Sequence, residues 1–62
     1  MNKNFRIRST RQVGHEYVKV HYDKISVVAW VIPEIATRFS KDQAMYFIQI
    51  NPGLGLVLEE IK

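Results

Sequence analysis

The sequence predicts an α+β domain, a small antiparallel β-sheet in the order β-β-β-α-β with one helix packed on one face. Three observations carry this. Phe5-Arg6-Ile7-Arg8 and residues 16–22 alternate apolar and polar with the period of two that marks a half-buried strand. Residues 25–31 are rich in β-branched side chains, which suit a pleated surface. Residues 40–50 then change to helical spacing behind a capping residue.

In the first strand Phe5 and Ile7 point inward and Arg6 and Arg8 outward. Gly14 is the natural hairpin turn. In the second strand Val18, Val20 and Tyr22 share one face, and Tyr17, Lys19 and His21 the other. Asp23-Lys24 reads as a second turn or as a bulge within one long strand. The third strand, residues 25–31, ends near Pro33, which cannot donate to a ladder and holds Ile32 extended. Residues 33–36 read as a loop and residues 37–39 as a short extended piece. Ser40 with Gln43 three residues on is a capping-box pattern, and Asp42 suits the positive end of the helix dipole. Ala44, Phe47 and Ile48 form the inward stripe, with Met45 and Ile50 beside it. Asn51 precedes Pro52, so the helix stops at about Ile50 or Asn51. Pro52-Gly53 turns the chain into a last strand in which Leu54, Leu56 and Leu58 share a face.

Sixty-two residues make one domain, residues 1–62. In a domain this small, apolar burial and chain ordering nearly cancel, so a partner subunit would help it. With no cysteine there is no disulfide framework, zinc-thiolate site or thiol chemistry. The longest apolar run, residues 27–32, is far short of the roughly 20 residues that span a bilayer, and residues 1–10 lack a signal-peptide core. A cytosolic address, without membrane or small-molecule partner, is the expectation.

Catalytic chemistry finds little support. His15 and His21 are six apart on one strand, roughly 20 Å, too far to share one metal. Ser40 is better used as a helix cap, and no motif sets a base beside Ser26 or Thr37. Glu59 and Glu60 are adjacent and so point to opposite faces of a strand. Gly53-Leu54-Gly55 follows a helix and precedes a strand, the reverse of a phosphate-cradling loop. The expectation is a non-enzymatic protein with no metal and no cofactor.

Two features remain. Residues 1–31 carry six bases against two acids, and residues 32–62 three against four, within a net charge of +3. Arg6, Arg8, Lys19 and His21 with Tyr17 would share the solvent face of a two-stranded ribbon, with Lys3 and Arg11 at its margins. Bases neutralise phosphates and a ring stacks on a base, so this is a candidate nucleic-acid surface; the same charges also serve simply to block edge pairing. The second feature is apolar on both faces. Val27, Ala29 and Val31 point one way, Val28, Trp30 and Ile32 the other. One short helix covers one face of a sheet, so the second set either lies under the 32–39 loop or meets another protein.

The run Phe5-Arg6-Ile7-Arg8, then Trp30, Ala36-Thr37-Arg38-Phe39-Ser40, Ala44, Asn51-Pro52 and an apolar strand with two acids resembles a scattered group of small phage and prophage proteins. That resemblance covers about half the chain and departs at Val31-Ile32-Pro33, where the group carries polar loop residues. It implies a compact β-rich domain with one helix, and no activity or catalytic residue.

The expected function is a protein-binding module, phage-derived, that self-associates or docks on a host or virion protein through Val28, Trp30 and Ile32. Its place is the host cytoplasm, or a virion. The alternative is a small nucleic-acid-binding protein using Arg6, Arg8, Arg11, Tyr17 and Lys19.

Overall fold

A computed structural model describes residues 3–20 and 27–61. The expected turn at Asp23-Lys24, and His21, Tyr22, Ile25 and Ser26, lie outside the described residues. The elements run β1 (Phe5–Ser9), β2 (Tyr17–Val20), β3 (Val27–Val31), a single 3-10 turn (Pro33–Ile35), α1 (Lys41–Ile50) and β4 (Leu56–Glu60). The four strands form one antiparallel sheet in the order β3-β2-β1-β4. The fold is α+β, as the sequence predicts.

The central strand β1 runs in unbroken register with β4, from Phe5 opposite Glu60 to Ser9 opposite Leu56. With β2 it pairs only at Arg8 opposite Tyr17, beside the bond from the Ser9 N–H to the Glu16 carbonyl, 2.8 Å. Toward the other end the two strands part, and residues 37–39 fill the gap. Phe5 and Phe39 exchange backbone hydrogen bonds of 3.0 and 2.7 Å. On the other side the Thr37 N–H donates to the Val18 carbonyl, 3.1 Å, and the Val20 N–H to Thr37 Oγ1, 3.0 Å. The short extended piece read from the sequence is therefore an insert in the sheet. It satisfies backbone groups that the splayed strands would leave unpaired.

The alternation explains the core. Ile7 and Val18 are buried on the helix side of the sheet, under Ala44 and Phe47 of α1 and Phe39 of the insert. The Phe39 and Phe47 rings meet at 5.6 Å between centroids, tilted by 47°. Phe5, Val20, Val27, Trp30, Ile48, Leu56 and Leu58 close the margins.

Helix α1 begins as its sequence pattern requires. The Gln43 N–H donates to Ser40 Oγ, 3.2 Å, and the Ser40 N–H to Gln43 Oε1, 3.3 Å, a complete capping box. Asn51 caps the other end. Ser40→Ala is expected to cost about 1 kcal/mol, read as a lower urea midpoint at unchanged slope. An unchanged midpoint would place the helix's stability elsewhere.

β4 begins at Leu56, two residues later than the leucine alternation suggests. Gly53 and Gly55 both sit at positive φ, 87° and 67°. Leu54, between them, is held by its carbonyl, which accepts from Oγ of the buried Ser9. The same Ser9 Oγ accepts from the Arg11 N–H, 3.1 Å. No pattern in the sequence marks Ser9 for this work, because a buried hydroxyl at a strand end is defined only by the partners the fold supplies.

Candidate protein interface at the sheet edge

Strand β3 is an edge of the sheet, and its pairing decides where each apolar side chain goes. Val18 stands opposite Trp30, Tyr17 opposite Val31 and Lys19 opposite Ala29. Val18 is buried, so Trp30 lies on the helix side and packs against the core. Ala29 and Val31 lie on the open face with Lys19 and Tyr17. At the start of the strand Val20 stands opposite Val27, so the register shifts and Val28 is the extra residue of a bulge.

The three residues expected to form one outer face are thus divided. Trp30 belongs to the core margin. Val28 and Ile32 stay in solvent, 55% and 41% exposed, with Ile35 at 55% just beyond on the 3-10 turn. Alternation holds from Ala29 to Val31, where the pairing with β2 is regular, but it does not fix which face the helix takes. That face is the one Trp30 shares with Val18, and residues 37–39 enter the sheet rather than covering its outside.

The hydrogen bonds of β2 fix the peptide groups of the edge. The Glu16, Val18 and Val20 backbones bond toward β1 and the insert. Tyr17 and Lys19 therefore face β3 and engage Val31 and Ala29. Trp30, between those two, turns its N–H and C=O away from β2 to the sheet edge, where no further strand pairs among the described residues. No charged side chain lies between Val27 and Pro33. The opposite edge, β4, carries Glu59 and Glu60. Charge is the usual guard on an exposed edge, and β3 lacks it.

The basic ribbon is also rearranged. Arg6, Arg8, Tyr17 and Lys19 do share the open face, but Glu59 of β4 joins them there. Arg6 Nε donates to Glu59 Oε1 at 2.6 Å, and the Arg6 guanidinium lies over the Tyr17 ring, 5.0 Å from its centroid. Tyr17 Oη donates to the same carboxylate, 2.9 and 3.1 Å to its two oxygens. Arg8 reaches Glu16 Oε1 at 3.3 Å and Glu59 Oε2 at 3.9 Å. Both arginines of β1 thus hold carboxylates rather than standing free for phosphate. Arg11 leaves the ribbon altogether and donates to the Gly53 carbonyl, 3.0 Å. Arg38 joins in its place. Phe39 pairs with Phe5 in antiparallel register, which sets Arg38 beside Arg6, and the Thr37–Val18 bond brings it to β2 near Lys19. Lys19 and Arg38 are both exposed and hold no ion pair among the described residues. Sequence distance hid Glu59 and Arg38, since both reach this face only through long-range pairing.

Partial burial alone would raise the Glu59 pKa. The hydrogen bonds from Arg6 and Tyr17 and the charges of Arg6 and Arg8 outweigh it, and the net effect lowers it. The Tyr17 pKa is raised, by burial first and then by its bond to Glu59. A lowered carboxylate pKa stabilises the fold above the unfolded value, about 4.3, and that stabilisation is lost as pH falls through the folded value. Glu59→Gln is expected to lower stability by about 1 kcal/mol or less at pH 7, where the pair is partly solvated. In urea melts the gap from the parent should shrink as the pH is taken below 4. A gap that is constant with pH would show that ionisation of Glu59 contributes nothing.

No described helix is long and apolar enough to cross a membrane. No protein-family model, curated protein or solved structure matches this chain.

Proposed function

We propose that this chain is a non-enzymatic protein-binding module that accepts an extended apolar strand at the free edge of β3. The supporting observation is the contrast between the two edges. β4 carries two glutamates, whereas β3 is uncharged and leaves Val28 and Ile32 in solvent around an outward-facing peptide group. Strand addition of this kind draws affinity from main-chain hydrogen bonds and selectivity from pockets for alternate side chains. Two of the three hydroxyls that a catalytic reading would call on support the non-enzymatic one: Ser40 Oγ and Thr37 Oγ1 both accept from backbone amides, while Ser26 lies outside the described residues. The phage or prophage origin implied by the resemblance adds a host or virion protein to the partners that fit, and the host cytoplasm to the places.

The test is hydrogen exchange at low micromolar protein, with and without a synthetic peptide spanning Val27–Pro33. Slowed exchange of the Trp30 amide is the expected result. Exchange at Trp30 that ignores the peptide at saturating concentration would overturn the reading.

A second reading, nucleic-acid binding on the open face, is favoured by the arrival of Arg38 beside Arg6 and Lys19. Only Lys19 and Arg38 stand free of carboxylates there, among the described residues. A gel shift against salt should then show a log–log slope of about −2, from about two phosphates neutralised. The four or five bases of a free ribbon would give a slope roughly twice as steep. Absence of binding at low salt would eliminate this reading.

A further inference from the structure

The exposed residues of β3 and their spacing point to a second copy of the same strand as the occupant of this edge. We infer that two chains pair β3 to β3 in antiparallel register about a two-fold axis at Trp30. The inference rests on the edge-docking reading and goes beyond it in naming occupant and register.

The two exposed apolar residues of the strand and its exit lie symmetrically about Trp30, Val28 two positions before it and Ile32 two after. A two-fold axis at Trp30 sets Val28 of one protomer against the partner's Ile32, and Ile32 against the partner's Val28. Each exposed side chain then has an apolar counterpart, so the surface is complementary to itself, as an isologous interface requires. The Trp30 peptide already faces outward. Its N–H can donate to the partner's Trp30 carbonyl and its own carbonyl can accept in return, the closely spaced bond pair of an antiparallel ladder.

Charge supports the same occupant. With no charged side chain from Val27 to Pro33, self-pairing brings no like charges into opposition. Pairing at the β4 edge would set Glu59 and Glu60 against apolar residues of the partner strand, at a cost that β3 does not carry. The bulge at Val28 limits the length of free ladder, so a short symmetric pair fits better than a long captured strand. The result is one eight-stranded sheet with both copies of α1 on the same face. The Trp30 side chains, the only tryptophans in the chain, would then adjoin across the axis on the helix side.

The test uses charges placed at the paired positions and reads mass by sedimentation equilibrium. Val28 and Ile32 are exposed, so the variants should keep the parent circular dichroism spectrum. The parent chain is expected to dimerise. Val28→Lys and Ile32→Asp, each alone, should weaken dimerisation about tenfold or more, because each sets an unpaired charge against an apolar partner. The double variant Val28→Lys/Ile32→Asp sets the introduced ammonium of one protomer against the introduced carboxylate of the other. It should recover most of the lost affinity at low salt. Single variants that leave the dimer intact, or a double variant no better than the singles, would overturn this register. A parent chain that stays monomeric at millimolar concentration would overturn self-pairing altogether. Protection of Trp30 by an extended apolar peptide of unrelated sequence would then still decide separately whether the edge accepts a foreign strand.

Discussion

Phe47→Ala is expected to remove most of the folding free energy of this domain. Phe47 is fully buried, touches Phe39 in a tilted ring pair and sits above Ile7 and Val18. Truncating a buried phenylalanine costs about 3–5 kcal/mol through lost transfer energy and the cavity left behind. A 62-residue chain at about 0.05–0.15 kcal/mol per residue has roughly 3–9 kcal/mol in total. The margin is thin because so few side chains are fully inside. The variant should show a urea midpoint well below the parent's, or no folded baseline at 25 °C. A shift of less than about 1 kcal/mol would mean that the helix packs elsewhere than on β1 and β4.

Trp30→Ala tests a different point, since alternation predicts an outer face for a side chain that lies instead at the core margin. Its half-buried ring packs against the Val18 side of the sheet. Loss of this contact is expected to cost about 2–4 kcal/mol, less than a fully buried tryptophan. The cost should persist at dilutions where any dimer has dissociated. That separates a core role from an interface role, because an interface contribution follows protein concentration by mass action. A destabilisation that vanishes on dilution would return Trp30 to the interface alone. Val28→Asp makes the complementary case. Val28 is exposed, so this change should leave monomer stability within about 0.5 kcal/mol while it weakens strand addition.

Together these outcomes divide the apolar segment into two jobs. Trp30 and Val27 hold the edge strand to the body of the domain. Val28 and Ile32 face outward. A small domain that lacks a charged guard on one edge exposes itself to unwanted pairing, and a defined partner is one way to satisfy that edge. The ion pairs on the open face serve another end. They occupy Arg6, Arg8 and Tyr17, so Glu59 and Glu16 offset two of the four bases on the face that by sequence is most suited to phosphate, and Lys19 and Arg38 remain.

What the amino-acid sequence determined by itself is local. Alternation set Phe5 and Ile7 inward, the Ser40-Gln43 pair set the start of the helix, and Pro33 and Pro52 set where strand and helix end. Each of these depends on neighbours within about four residues, and short-range sterics and hydrogen bonds decide them. Only the tertiary structure decided that residues 37–39 enter the sheet between β1 and β2, that Val28 is left in solvent while Trp30 packs on the core, and that Glu59 meets Arg6 across 53 positions of chain. Those outcomes depend on which strands lie side by side and in what register. Register is set by the whole packed sheet, where a shift of one residue reverses every side chain, and no local spacing encodes it.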